Sequence, residues 1–359
     1  MTNLISRIGC VLLGLLGAGC SSAFLQTEGV PEAPVANVQP NAQGHASGPL
    51  LYAGDLFDQI SQYRLGSSKP VRSIQAVTQA YALATDSLGN LFAANGQVDY
   101  GEVDVYSAEN LGLLRRIQYL SSPVSLATDR HNYLYIANDS GILVYAPGGT
   151  KLVHVMRRGT ACALAFDQAG DLYAANGNGR SVGVYGPTKT PGQMKFKDNI
   201  TDGVKFPYTL TISSSGDLFV ANWGRSAHSK SGNRRDSVSV YSLKNLSLER
   251  VITDGILRPF ALAVDSAGRL YVGNHPLGRR QRPPPGWVSV YSAGSTRPLR
   301  KITQGIDWPV SLAVDSSDDL YVADQNGNAI TVYGSAGAKL VRTITRDVRG
   351  PESLLIASP

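Results

Sequence analysis

The sequence predicts an all-β fold, a seven-bladed β-propeller whose blades each contain four strands. Two strand-like motifs recur along the chain. Leu-Tyr/Phe-x-x-Asn/Asp occurs seven times, ending at Asp55, Asn95, Asn138, Asn176, Asn222, Asn274 and Asp324. Leu-Ala-Val-Asp, or a variant of it, occurs around Leu83, Leu126, Leu164, Leu210, Leu262, Leu312 and Leu354. Successive copies are 38 to 52 residues apart, a spacing typical of propeller blades. Six blades would result if one copy were degenerate.

One repeat unit, residues 309–344, shows why each segment is expected to be a strand. It reads Pro-Val-Ser-Leu-Ala-Val-Asp-Ser, Asp-Leu-Tyr-Val-Ala-Asp, Ile-Thr-Val-Tyr and Leu-Val-Arg-Thr-Ile. These four segments are rich in β-branched and aromatic residues, which favour strands. Gly, Asn, Asp and Ser lie between them and favour turns. The unit therefore predicts four short strands in sequence.

The two ends of the repeat region are out of phase. The first unit, residues 50–74, lacks the Leu-Ala-Val-Asp strand, whereas residues 351–356 form an isolated copy of that strand. We therefore expect the last strand to complete the first blade and close the ring.

The N-terminal region has the pattern of an export signal. Residues 1–19 contain Arg7 and then an apolar run, Ile8 to Leu16, too short to span a membrane. The segment Leu15 to Cys20 resembles the bacterial lipobox, although Gly17 stands where Leu is usual. The resemblance implies a lipid on Cys20 and a membrane-anchored lipoprotein that faces the periplasm or cell surface. The alternatives are ordinary signal cleavage, for example after Ala23, or an uncleaved anchor.

Residues 20–47 are rich in Pro, Ala, Asn, Gln and Gly without periodicity, which predicts a flexible tether before a propeller at 48–359. Removal of the signal, which contains Cys10, would leave Cys20 and Cys162. If Cys20 carries lipid, Cys162 has no intramolecular partner. The cysteines therefore do not predict a disulfide framework.

The repeat consensus P-x-x-L-A-V-D-S-x-G-x-L-Y-V-A-N, followed by V-S-V-Y and R-x-I-T-x-G, resembles the YVTN and NHL repeat propellers. The resemblance covers nearly everything after the tether and implies a propeller. It does not imply one activity, because that broad group includes secreted scaffolds, lactonases, a lyase that opens a cyclic antibiotic, and domains of redox enzymes.

The polar residues that recur in every unit are interpreted first as structural. Asp86, Asp129, Asp167, Asp265 and Asp315 each begin a turn in which an Asp side chain can bond the backbone two residues later. The Asn residues that end the other strand motif can satisfy unpaired backbone groups. A metal site lined by Asn is the alternative, but repetition around the ring argues against it.

Catalytic residues are sought among those that break the repeat. The histidines, His45, His131, His154, His228 and His275, have no metal-ligand spacing, and we expect surface or loop positions for them. No nucleophile-elbow motif occurs. We predict no metal and no cofactor. The candidate acid or base residues are His275, which follows Asn274 in an enlarged loop, and Glu352, the charged residue of a first strand.

A ring of variable residues opens the first strand of each blade at the predicted channel mouth: Tyr81, Val124, Cys162, Tyr208, Phe260, Val310 and Glu352. Small residues follow them: Ala82, Ser125, Ala163, Thr209, Ala261, Ser311 and Ser353. Variable residues on a uniform support favour a ligand pocket. The alternative is simple rim packing of aromatic side chains.

The basic character is concentrated in two loops. The segments between the second and third strands are longest in blades five and six, where they contain Arg225, Lys230, Arg234 and Arg235, then Arg279, Arg280 and Arg282. When Asp236 is included, the net charge of the two loops together equals the net charge of +6 of the whole chain. Strand alternation places them on the face of the channel mouth, beside Trp223, Trp287 and Trp308.

Arg and Trp around a cavity suit an anionic or carbohydrate ligand. The alternative is a pair of solvated loops stiffened by Pro283, Pro284 and Pro285. We predict a non-catalytic, membrane-tethered propeller that binds a partner protein, glycan or small anion; an export signal argues against nucleic acid. The second hypothesis is a lactonase-like hydrolase or lyase with His275 or Glu352 as acid or base and Arg279 or Arg280 as anion stabiliser.

Overall fold

The computed structural model describes residues 48–75, 79–95, 101–157, 159–224, 236–276 and 284–357. Its strands form seven sheets of four antiparallel strands each. The innermost strand of every sheet contacts the innermost strands of the two neighbouring sheets, which arranges the sheets as a ring. The predicted seven-bladed propeller is therefore confirmed. In the described ranges the helical content is two 3-10 segments, Pro147–Gly149 and Ser335–Gly337.

Blades are numbered along the chain. In blades 2 to 7 the strands follow one another from the channel outward. Blades 1 to 3 contain β1 (Leu50–Asp55), β2 (Gln59–Arg64), β3 (Pro70–Gln75); β4 (Ala80–Thr85), β5 (Leu91–Asn95), β6 (Gly101–Tyr106), β7 (Leu113–Leu120); and β8 (Ser125–Thr128), β9 (Leu134–Asn138), β10 (Gly141–Tyr145), β11 (Leu152–Met156). Blades 4 and 5 contain β12 (Ala161–Phe166), β13 (Leu172–Asn176), β14 (Ser181–Pro187), β15 (Met194–Ile200); and β16 (Pro207–Ile212), β17 (Asp217–Asn222), β18 (Ser237–Ser242), β19 (Ser247–Ile252). Blades 6 and 7 contain β20 (Pro259–Val264), β21 (Leu270–Asn274), β22 (Trp287–Tyr291), β23 (Arg300–Ile302); and β24 (Pro309–Val314), β25 (Leu320–Asp324), β26 (Ala329–Tyr333), β27 (Leu340–Ile344). The last strand, β28 (Pro351–Ala357), is the innermost strand of blade 1.

The ring closes as the out-of-phase repeats predict. Strand β28 pairs antiparallel with β1, and Ile356 lies opposite Leu51 while Leu354 lies opposite Ala53. The side chains of β28 alternate between two cores. Leu355 packs toward blade 2, and Leu354 and Ile356 pack toward blade 7. The closing strand thus joins both neighbours of blade 1, although its apolar side chains are half-buried because the strand also lines the channel.

The hydrophobic core is divided into seven clusters, and each lies between two blades. The cluster between blades 4 and 5, for example, combines Val182 and Val184 with Leu218 and Val220. Alternating side chains of a strand point to opposite faces, so each blade contributes to two clusters. Stability therefore depends on every blade having two neighbours.

The recurring Asp residues have the structural role predicted for them. Oδ1 of Asp265 accepts the backbone N–H groups of Ala267 (3.1 Å) and Arg269 (2.9 Å), and its Oδ2 accepts the hydroxyl of Tyr271 on β21 (2.8 Å). The same Tyr-to-Asp hydrogen bond links Tyr135 to Asp129, Tyr173 to Asp167 and Tyr321 to Asp315. In blade 5 the Asp is replaced by Ser213 and the Tyr by Phe219.

The Asn residues that end the second strands also satisfy the backbone. Asn222 and Asn274 accept the N–H groups of Lys205 and Leu257, both at 2.8 Å, from the segments that lead into their own blades' first strands. Their amide groups donate to Ser239 (3.0 Å) and Ser289 (3.2 Å) of the third strands. These amides hold the strand end in place, and the prediction of a structural role is confirmed for them.

The small residues of the first strands allow close approach at the axis, and several join neighbouring blades. The hydroxyl of Ser353 donates to the carbonyl of Ala80, and Ser125 and Ser311 accept the N–H groups of Leu164 and Leu354. The first strands of different blades do not pair with each other as a β-ladder, and these side-chain bonds connect them instead. Within the described ranges, no helix is long and apolar enough to cross a membrane.

Candidate functional site

The candidate site is the channel opening on the face where the first strands begin and the second strands end. The seven variable residues identified from the sequence are all partly exposed, while the core around them is buried. They are Tyr81, Val124, Cys162, Tyr208, Phe260, Val310 and Glu352. They form what we call the mouth ring, and their placement agrees with the predicted opening.

A second set of positions lies beside the mouth ring; sequence reasoning singled out Trp223 and His275 among them but missed the set as a whole. It consists of the residue that directly follows the Asn or Asp at the end of a second strand. Backbone N–H groups of Trp223, His275 and Gln325 donate to the carbonyls of Phe206, Leu257 and Trp308, which lie just before the first strands of the same blades. This bond holds each residue next to its own blade's ring residue. The signal in the sequence was the variation at this position, directly after the Asn or Asp that ends each second strand: Asp139, Gly177, Trp223, His275 and Gln325.

Five aromatic rings from blades 5 to 7 form one cluster, which we call the aromatic wall. Tyr208 and Trp223 stack in parallel, with ring centroids 4.3 Å apart and an angle of 10°. His275 and Trp308 form a second stack, at 4.1 Å and 11°. Phe260 lies between the stacks with its edge or face against all four rings, at centroid distances of 5.0 to 6.2 Å. Each ring fixes another, so the wall is preorganised.

Trp223 also connects two blades. Its indole Nε1–H donates to the carbonyl of Pro259 at 3.1 Å, the residue before Phe260. Four members of the wall, Tyr208, Trp223, Phe260 and Trp308, remain partly exposed. The wall therefore presents aromatic surface at the mouth rather than being a fully enclosed core.

Next to the wall, polar groups of blades 7 and 1 meet at the channel mouth. The amide of Gln325 donates to Oε2 of Glu352. Enclosure by the channel wall raises the pKa of Glu352 to about 7, an effect that the hydrogen bond from Gln325 partly offsets. Burial raises the pKa of Tyr81 to about 12 and also raises the pKa of Tyr208. The negative charge of Glu352 adds to both shifts. The electrostatic coupling places the hydroxyl of Tyr208 near Glu352, although its ring belongs to the wall.

Glu352 thus has the environment expected of a proton donor or acceptor near neutral pH. The hydroxyl of Tyr81 is oriented by a 2.6 Å hydrogen bond to Oε1 of Gln79. Cys162, a free cysteine of the mouth ring in blade 4, has a thiol whose pKa is raised by burial. The raised pKa leaves Cys162 a weak nucleophile at neutral pH.

His275 follows strand β21 and occupies a loop position, as predicted for the histidines, but it does not lie at the surface. Its side chain is only 1% exposed, because the backbone bond to Leu257 and the stack on Trp308 draw it into the wall. Burial, with a smaller contribution from the positive charge of Arg258, lowers the pKa of His275 to about 4. The imidazole is therefore neutral at pH 7. His131 is exposed and His154 half-buried, whereas His45 and His228 lie outside the described residues.

Trp287 does not join the wall. It begins the third strand of blade 6, two strands from the channel, where its Nε1–H donates to Ser289 (3.0 Å) and Nζ of Lys301 lies 3.9 Å above its ring. Trp287 therefore lies on the face of the channel mouth, as expected, but farther from the channel than Trp223 and Trp308. The basic residues predicted on this face, Arg225, Lys230, Arg234, Arg235, Arg279, Arg280 and Arg282, lie outside the described residues, as does Cys20.

A metal centre has no support in the described ranges, where no three His, Cys, Asp or Glu side chains are grouped closely enough to bind an ion. Two shallow cavities of about 90 and 250 Å³ lie on the opposite face, around the turns at Asp129 and Asp167. Neither contains a mouth-ring residue.

The structure resembles solved propellers over most of its length. A Bacteroides uniformis protein described as "a putative 6-phosphogluconolactonase" is 15% identical with a TM-score of 0.66; the match covers 86% of this chain and 99% of that one. A Bacteroides fragilis protein with the same description is 13% identical with a TM-score of 0.69, over 88% and 100% of the two chains. Hydrazine synthase of Kuenenia stuttgartiensis is 13% identical with a TM-score of 0.61, over 78% and 95%.

At this identity the likenesses establish the fold and do not transfer an activity. No family model matches the chain. No curated protein matches it either.

Proposed function

We propose that the protein is an exported propeller that binds a sugar-sized ligand at the channel mouth without transforming it. The observation that carries the proposal is the aromatic wall. Partly exposed rings in fixed orientations offer stacking surface to the apolar face of a sugar ring, and the polar groups around Glu352 can exchange hydrogen bonds with its hydroxyls. This combination of one apolar wall and a few convergent polar groups is typical of small-molecule sites.

The proposal extends to charge and location. The Arg residues of the two long loops would add a positive field on this face, which favours an acidic sugar or another anionic ligand. The lipobox-like segment supports a lipid on Cys20 that holds the propeller at a membrane facing the periplasm or cell surface. The repeat consensus supports a relationship to YVTN and NHL propellers.

The test is a binding screen of the purified protein against neutral and acidic mono- and oligosaccharides, followed by titration calorimetry. Trp223→Ala should weaken binding of any hit at least about tenfold, since base and sugar stacking on an aromatic ring is worth on the order of 1–3 kcal/mol. Trp287→Ala is the matched control, because that indole lies outside the wall. Equal affinity in the two variants would contradict a site at the wall.

A second candidate function is lactone hydrolysis, favoured by one observation. Glu352 combines enclosure in the channel with a pKa of about 7, so it can take a proton from water or return one to a leaving oxygen. The likeness to proteins described as possible 6-phosphogluconolactonases makes sugar lactones the natural substrates to try. Turnover above the spontaneous rate that is lost in Glu352→Gln would support this function and overturn the non-catalytic one.

A further inference from the structure

The inner edge of the aromatic wall contains three buried polar atoms without a hydrogen-bond partner among the described residues. They are Nδ1 and Nε2 of His275 and Nε1 of Trp308. The contrast with the other indoles is direct, since Trp223 donates to Pro259 and Trp287 donates to Ser289. Buried polar groups are nearly always paired. A pair of stacked rings with three nitrogens unpaired among the described residues therefore indicates a position that a further polar group can occupy.

The chemistry of these atoms indicates which group fits. A neutral imidazole offers one N–H donor and one acceptor, and the indole offers one N–H donor. Arg258, 9% exposed, is close enough for its positive charge to lower the pKa of His275. Two nearby acids are committed to backbone N–H groups: Asp236 accepts from Gly224 (2.8 Å) and Arg258 (3.0 Å). Asp324 accepts from Trp308 (2.7 Å) and Asp307 (3.1 Å). Two donors beside a positive charge favour an oxygen that carries negative charge.

We propose that His275 and Trp308 form a subsite for an anionic oxygen, from a carboxylate or a phosphate, of the ligand that the aromatic wall binds. The inference rests on the proposed function and specifies its ligand class. Phe260 connects the two parts, because its partly exposed ring lies 6.1 Å from His275 and 6.2 Å from Trp308 by centroid distance. A sugar stacked on Phe260 would therefore have the rings of His275 and Trp308 as neighbours for an acidic substituent.

The experiment is calorimetric titration of the purified full-length chain with three probes of one size: glucose, gluconate and glucose 6-phosphate. The variants are Trp308→Phe, which deletes the indole N–H and keeps a ring, and His275→Phe, which keeps the stack and deletes both ring nitrogens. Trp287→Phe is the control, because it deletes an indole N–H that already has a partner. Circular dichroism verifies that each variant is folded.

At least one acidic probe should bind the wild type about tenfold or more tightly than glucose, and Trp308→Phe and His275→Phe should each reduce that preference by about tenfold. Trp287→Phe should leave it unchanged. Gluconate and glucose 6-phosphate distinguish a carboxylate from a phosphate.

If glucose binds as tightly as both acids, the subsite is overturned and the sugar-binding function stands. If the preference survives in both site variants, a buried water, rather than the ligand, occupies the edge. If no probe binds, both proposals are overturned for ligands of this class.

Discussion

The hydroxyl of Ser353 donates to the backbone carbonyl of Ala80 at 2.6 Å, across 273 residues of sequence. This hydrogen bond connects the C-terminal strand, at the centre of blade 1, to the first strand of blade 2. Ala80 belongs to the core that blade 1 shares with blade 2, and β28 also pairs with β1. The C-terminal strand thus completes the blade in which the propeller begins.

Truncation after Gly350 should abolish cooperative folding. Removal of β28 unpairs β1 and opens the cores on both sides of blade 1, and a single half-buried Leu or Ile already contributes on the order of 1 kcal/mol. Thermal unfolding followed by circular dichroism measures the effect. A chain that ends at Ala357 is the control and should melt like the full-length protein. An unchanged melting temperature after truncation at Gly350 would contradict the closure model.

The Tyr-to-Asp hydrogen bond should be transferable between blades. Blade 5 has Ser213 and Phe219 where blade 6 has Asp265 and Tyr271. Ser213→Asp or Phe219→Tyr alone should be neutral or destabilising, because each adds a buried polar group without its partner. The double variant should recover a coupling free energy of roughly 0.5–3 kcal/mol. Urea unfolding of the four proteins in the cycle gives this quantity, and a coupling near zero would show that the pair is coincidental.

Glu352→Gln should stabilise the protein more as pH rises. The folded-state pKa of about 7 lies above the ordinary value of 4.5, so the carboxyl's favourable contribution is complete below pH 4.5 and is lost as pH rises to 7. Relative to wild type, the variant should gain on the order of 3 kcal/mol in the free energy of unfolding between pH 4 and pH 8. Denaturant titrations at both pH values measure it. A constant difference would mean that Glu352 titrates normally.

His275→Phe should change the pH dependence in the opposite direction. The pKa of His275 falls from 6.5 to about 4 on folding, so the unfolded chain binds the extra proton as pH falls through that interval. Between pH 7 and pH 4, the free energy of unfolding of the wild type should therefore fall by on the order of 3 kcal/mol more than that of the variant. The same titrations give the answer, with His131→Phe, an exposed site, as control. Parallel curves for wild type and His275→Phe would indicate that the imidazole is solvated.

Cys20→Ser should release the protein from the membrane fraction. If Cys20 is acylated, each buried CH₂ contributes about 0.8 kcal/mol to anchoring, and the variant loses that contribution. Fractionation followed by mass spectrometry of the mature N-terminus measures both effects, with Cys162→Ser as the matched control. A mature chain that begins at Phe24 without modification would contradict the lipoprotein hypothesis.

The sequence alone determined the architecture, because each unit repeats the same local chemistry. Alternating apolar residues fix the strands, Asp265 and its equivalents fix the turns, and the unpaired copy at residues 351–356 requires closure. The mouth ring followed from the same periodicity, since a first strand in every blade must reach the axis. These features depend on short-range preferences and on counting, so no knowledge of tertiary contacts was needed.

The aromatic wall was decided by tertiary structure. Whether Trp223, Trp287 or Trp308 reaches the mouth depends on its strand's distance from the axis, and the loop lengths that suggested all three do not report that distance. The burial of His275 results from the ring of Phe260 in its own blade and from the ring of Trp308, which leads into the next blade. Likewise, the raised pKa of Glu352 arises from enclosure by the whole ring. Burial and electrostatics at an axis are properties that seven blades create together, and no single repeat encodes them.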